Sequence, residues 1–269
     1  MVDGRIQAFP WTSWKDEFLL AEQNGFQLME WTLDQERLYE NPLLTRSGQK
    51  EIQELCRRHG VGIPSLTGDC FMQRPFWKAE LEQCPNLKMD FMKIAEACAV
   101  VGITMIVVPL VDSGRVESRN QEDALVTFLE SQARIFSAKG IRVIFESDYP
   151  PKELARFIGR LEPAVFGINY DIGNSAALGF LPDDEFAAYG DRIMNVHVKD
   201  RVLGGTTVAL GTGNADFQAV FSALSRIRYP GNCILQTARA TDGHHAETLR
   251  TYRDMTLGWM QSYKLERLA

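Results

Sequence analysis

Gly167-Ile168-Asn169-Tyr170-Asp171 and Ile193-Met194-Asn195-Val196-His197 are short, mostly apolar runs, and each ends on a side chain that can bind a cation. Val143-Ile144-Phe145-Glu146 and Cys233-Ile234-Leu235-Gln236 share the design. Continuous apolar runs of this length fit strands covered on both faces, as in a parallel sheet. Similar β-rich runs recur along the chain. They predict eight strands, near 4–9, 26–31, 61–67, 103–109, 141–146, 165–171, 193–198 and 233–237.

Helical spacing fills the intervals. Leu87, Phe91, Ile94, Ala95, Cys98 and Val101 share one face of a helix over 87–101. Leu125, Phe128, Leu129, Ile135 and Phe136 do the same over 121–138, and Phe217, Val220, Phe221, Leu224 and Ile227 over 216–227. A last helix is predicted over 246–264. Gly25, Gly60, Gly102 and Gly140 each stand between a helix and the next strand, where helix C-terminal glycines belong. Eight strand–helix units without an obvious linker predict one α/β domain over 1–269, a single (β/α)8 TIM barrel. A doubly wound open sheet is the rival. It is disfavoured because no G-x-G-x-x-G follows the first strand.

In a barrel, the C-terminal ends of the strands meet at one mouth, where active sites lie. Glu146, Asp171, His197 and Gln236 would then converge from successive strands. Three oxygen-bearing groups and one imidazole suit one divalent metal ion, Mn, Mg, Co or Zn, with coordination positions left open. Each residue also has a plainer reading. Glu146 can be a helix cap, Asp171 part of a turn, His197 a satisfied core histidine and Gln236 a polar strand end.

The 269 residues are 45% hydrophobic and 24% charged, with net charge −6. No run of basic residues exceeds two, so phosphate-neutralising contact with nucleic acid is disfavoured. Five cysteines, an odd number without C-x-x-C, read as a reduced chain. No apolar run approaches a membrane span and no signal-peptide pattern follows Met1, which predicts a cytoplasmic protein.

The order Gly25-Phe26…Glu30, Tyr170-Asp171-Ile172-Gly173-Asn174, His197-Val198-Lys199-Asp200 and Leu210-Gly211-Thr212-Gly213-Asn214-Ala215-Asp216-Phe217 resembles the xylose isomerase-like barrel family. Its hexulose-6-phosphate isomerase and L-xylulose-5-phosphate 3-epimerase types are the most similar in pattern, and the match covers nearly the whole chain. The resemblance implies a metal-dependent isomerase or epimerase of a small sugar or sugar phosphate, working through a metal-stabilised enediolate. It implies that Glu146, Asp171 and His197 hold the metal and that Gln236, at the position of a fourth ligand, a glutamate, is a weaker fourth ligand through its amide oxygen. In the family the first and last glutamates are also the acid and base. The catalytic positions here are therefore Glu146 and Gln236, and an amide cannot act as a base near neutral pH.

Three routes stay open. Glu146 handles both proton transfers; Glu30 or Asp69 supplies a second base; or the chain has left isomerase chemistry. The last includes a metal-dependent lyase or dehydratase on the same barrel, and a degenerate barrel that binds sugar without turnover. A three-metal DNA-repair site is disfavoured by a count of only four histidines. Around the mouth, Lys199, Arg201 and Arg239 are candidate holders of a substrate phosphate or carboxylate, beside Glu30 and Asp69. Trp11, Trp14, Trp31, Phe71, Phe76 and Trp77 either stack on a sugar or pack. The 69–84 loop is a candidate lid, and Gly211-Thr212-Gly213 reads as a phosphate cradle or as the turn leading to Asp216, a helix N-cap. Aromatic early loops and the last helix are compatible with a homo-oligomer.

Overall fold

The structure is a computed structural model and describes residues 7–265. Seven parallel strands follow one another in chain order in one sheet, with helices between them, as in a TIM barrel. The chain resolves into two compact units, one running through Ser147 and including Arg160–Phe166, the other comprising Asp148–Gly159 and the chain from Gly167.

The first unit holds β1 (Leu28–Thr32), β2 (Gly62–Thr67), β3 (Met105–Leu110) and β4 (Arg142–Ser147). Around them run α1 (Asp16–Gln23), α2 (Arg46–His59), α3 (Asp69–Gln73), α4 (Cys84–Val101) and α5 (Arg119–Ala138). All six residues of β3 are buried, as expected of a strand covered on both faces. β3 and β4 pair in register from Met105↔Arg142 to Leu110↔Ser147, which sets Glu146 beside Pro109. The apolar faces of α4 and α5 meet through Phe91, whose ring lies 5.8 Å from both Phe128 and Phe136. Thr45 caps α2 by accepting a hydrogen bond from the Gly48 amide at 3.0 Å, and Gly60 ends it in the left-handed region, at φ +64°. Gly25, Gly102 and Gly140 also have positive φ, so all four predicted helix-end glycines lie in that region.

The second unit contains β5 from Gly167 on (Phe166–Asp171 in full), β6 (Ile193–Val198) and β7 (Asn232–Leu235). Its helices are α6 (Pro151–Ile158), α7 (Ile172–Leu178), α8 (Pro182–Tyr189), α9 (Phe217–Arg226) and α10 (His245–Ser262). Parallel pairing puts Asn169 opposite Asn195 and Asp171 opposite His197. It also puts His197 opposite Ile234 and Val198 opposite Leu235. Phe217 of α9 stacks on Trp259 of α10, with ring centroids 4.3 Å apart and planes 6° from parallel.

The strand predicted over 4–9 is corrected in part. Residues 4–6 lie outside the described residues, and 7–9 are not strand. The Phe9 amide donates to the Asp34 carboxylate at 3.0 Å rather than to a neighbouring strand, and Pro10 has no amide hydrogen to extend a ladder. Seven strands are therefore found among the described residues. The 69–84 stretch holds α3 and three buried aromatics, Phe71, Phe76 and Trp77, and the Trp77 indole donates to the Gly114 carbonyl at 3.1 Å. Trp14, Trp31, Phe71, Phe76 and Trp77 are all buried, so they pack. Cys56, Cys70, Cys84 and Cys98 carry free thiols. Among the described residues no helix is long and apolar enough to cross a membrane.

Candidate functional site

Alternation along β5 and β6 creates a polar column in an apolar sheet. Side chains two apart share a face of a strand, so Asn169 and Asp171 line up on β5, and Asn195 and His197 on β6, with Lys199 one step beyond. The register places the two columns side by side. Asn195 Nδ2 donates to Asn169 Oδ1 at 2.8 Å, and Asn169 Nδ2 lies 3.1 Å from His197 Nδ1. The four side chains of this ladder, Asn169, Asp171, Asn195 and His197, are buried. Burying this many polar groups is tolerable only where hydrogen bonds replace water.

Asp171 has two tasks. Its Oδ1 accepts the Asn174 amide at 2.8 Å, capping α7. Its Oδ2 accepts from the Lys199 ammonium at 3.1 Å and lies 3.9 Å from His197 Nδ1. Lys199 Nζ also donates to Gln236 Oε1 at 2.8 Å. The β6–β7 register brings this about. Val198 faces Leu235, so the next residues, Lys199 and Gln236, leave the two strands side by side. The Gln236 amide then donates to the Val198 carbonyl at 3.1 Å, prolonging the pairing by one residue.

Asp200 builds the loop behind the site. Buried, it accepts the Gly211 and Gly213 amides on Oδ2 at 2.9 and 2.8 Å, and the Ala215 amide on Oδ1 at 3.1 Å. The amides of Gly211 and Gly213 are thus taken by an internal carboxylate. A Cβ at Gly213 would stand 2.2 Å from Asp200 Oδ1, so only glycine lets the loop close on that carboxylate. Asp216 caps α9 by accepting the Ala219 amide at 2.9 Å. The Arg201 guanidinium donates to the Gly205 carbonyl and, at 2.7 Å, to Asn174 Oδ1. Arg239 lies beyond β7, and His244 and His245 open α10.

In the first unit, Glu146 is the fifth of six residues of β4 and is buried. Glu30 on β1 accepts from the Ser65 hydroxyl at 2.5 Å and from the Thr67 hydroxyl, both on β2. Asp69 opens α3 and accepts from the Gln7 amide at 3.3 Å. Asn169 and Asn195 were passed over in the sequence. Their signal is a polar residue two before the terminal donor, Asn-x-Asp on β5 and Asn-x-His on β6.

A family model described as xylose isomerase-like TIM barrel matches residues 18–260. The chain belongs to this family. Among solved structures, it superposes on the IOLI protein with a binding zinc atom at TM-score 0.75 and 18% identity, with 93% of each chain covered. It superposes on D-psicose 3-epimerase in the presence of D-fructose at TM-score 0.72 and 12% identity, over 95% of this chain and 96% of that one. The 3-keto-D-glucoside 4-epimerase YcjR from E. coli gives TM-score 0.68 at 20% identity, over 95% and 97% of the two chains. At these identities the likeness is one of fold. No curated protein matches the chain.

Glu146 of the first unit and Asp171 and His197 of the second are all buried, and carboxylates and imidazole are side chains that bind divalent ions. The donor set fits a catalytic divalent ion better than a closed structural zinc site, which draws on cysteine.

Proposed function

We propose that this chain is a divalent-metal-dependent isomerase or epimerase of a small sugar or sugar phosphate. The observation that carries the reading is the buried Asp171–His197 pair at the ends of adjacent strands in a xylose isomerase-like barrel. Glu146, Asp171 and His197 hold one ion, Mn, Mg, Co or Zn. When bound, the ion polarises a substrate carbonyl and acidifies the neighbouring C–H.

Glu146 takes the proton from the carbon beside the carbonyl and returns it, acting as ligand and base. Asp171 is poorly suited to that task, because its carboxylate is engaged by the Asn174 amide and the Lys199 ammonium. Gln236 cannot serve as the second base, since its amide does not take up a proton near neutral pH. A one-base, one-face transfer between adjacent carbons, an aldose–ketose isomerisation, therefore suits the site better than epimerisation by two opposed bases. Lys199 and Arg201 supply positive charge around a substrate oxygen or phosphate, with Arg239, Glu30 and Asp69 as further substrate contacts. The similarity to sugar epimerases supports a small sugar as the ligand class.

The test is incubation of ketoses and ketose phosphates with the protein in D₂O. Deuterium should enter the carbon next to the carbonyl with the wild type, and Glu146→Gln should reduce its rate by about a thousandfold, the order lost when a positioned base is removed. Absence of exchange across the panel, or exchange that survives Glu146→Gln, would refute the reading.

A further inference from the structure

Gln236 stands where the family resemblance places a glutamate, and the structure gives its oxygen an occupation. Lys199 Nζ donates to Gln236 Oε1 at 2.8 Å and to Asp171 Oδ2 at 3.1 Å. Its side chain is only 13% exposed, so the charge is poorly screened by water. The seat is built, not incidental. A Cβ at Gly173 would lie 2.7 Å from Lys199 Cγ and 3.1 Å from its backbone carbonyl carbon, so the first turn of α7 must be glycine for Lys199 to lie there. Asp200, the next residue, is fixed by three backbone amides, which anchors the Lys199 backbone from the other side.

We propose that Lys199 is a positioning cation that lowers the affinity of the site for its metal, and that Gln236 is the neutral acceptor holding it in place rather than a metal ligand. The inference rests on the metal reading above. A glutamate at 236 would draw toward a divalent ion and toward Lys199 at once. An amide oxygen satisfies the ammonium while adding no charge to the site. Asp171, already bonded to the ammonium, would serve the ion as well, and Lys199 would repel an ion held there. The ion is held by three protein ligands, Glu146, Asp171 and His197, which leaves more positions for water and substrate than a four-ligand set. Lys199 weakens metal binding, and the amide at 236 keeps the coordination sphere open.

The test is calorimetric titration of the full-length protein with MnCl₂, on the wild type and on Lys199→Met, Gly173→Ala and Gln236→Ala, each checked for fold by circular dichroism. Lys199→Met should bind Mn²⁺ about tenfold more tightly or better, since it removes a buried like charge. Gly173→Ala reaches the same end through a different residue, by pushing the lysine from its seat. Gln236→Ala should stay within about threefold of the wild type or bind more tightly, where loss of a true ligand would cost about tenfold or more. A gain in affinity is an outcome that general loosening of the structure would not produce. Unchanged or weaker binding in both Lys199→Met and Gly173→Ala overturns the proposal, as does a tenfold loss in Gln236→Ala, and either result leaves the metal reading standing. Absence of Mn²⁺ binding in the wild type and every variant overturns both.

Discussion

Asp200 shows how much one buried carboxylate can organise. It replaces its lost hydration with three backbone amides of the Gly211–Ala215 turn, and so connects His197-Val198-Lys199-Asp200 to Gly211-Thr212-Gly213. Asp200→Ala would leave three amides without their acceptor. We expect a loss on the order of 3 kcal/mol, read as a shift in urea midpoint. Gly213→Ala should destabilise by about 2 kcal/mol through the opposite fault, a methyl group driven against the same carboxylate. If both variants unfold at the wild-type midpoint, the carboxylate is not what holds the turn. The terminal donors Asp171 and His197 were legible in the sequence because an apolar strand that stops on a polar residue is conspicuous. Asn169 and Asn195 look like interruptions in sequence, and only the pairing register reveals them as one ladder. The partnership of Lys199 with Gln236 was hidden for the same reason. The two are 37 residues apart, and their meeting depends on which residue of β6 faces which residue of β7.

At the scale of elements, the second unit is tied together by an uncommon device. Glu185 of α8, 2% exposed, accepts hydrogen bonds from Tyr170 of β5 at 2.8 Å, Ser175 of α7, and Tyr189 of its own helix at 2.7 Å. Burial pushes its carboxyl above the ordinary range, and the three hydroxyls pull it back only in part. The consequence for stability follows from the sign. A folded-state pKa above the unfolded value means that the native state favours the proton, so the contribution is full below about pH 4.3, the usual value for Glu, and is lost as pH rises through the raised value. Glu185→Gln carries no proton to lose. The difference in thermal midpoint between wild type and Glu185→Gln should therefore move against the wild type between pH 4 and pH 8. A difference that is flat, or that moves the other way, contradicts the assignment. Helix boundaries were read well where their causes are local: Asp216 as an N-cap, glycines at the ends of α2 and α4. Replacing the Thr45 cap by alanine should cost about 1 kcal/mol. The expected strand over 4–9 fared worse, since an apolar run says nothing of where its amides go, and that of Phe9 goes to Asp34.

For the whole molecule, the repeating strand–helix order made the barrel family readable. Strands such as β3, buried at every residue, read as apolar runs, and several of the intervening helices show one apolar face. Reaction and substrate are less legible, because they depend on a few polar side chains whose partners lie on other strands. The central claim is that Glu146, Asp171 and His197 together hold one divalent ion. Crystals soaked in MnCl₂ and measured at the manganese absorption edge test it most directly. The account predicts a single strong anomalous peak in contact with all three side chains, with Gln236 still bonded to Lys199; no peak there, or a peak coordinated by other residues, would contradict it.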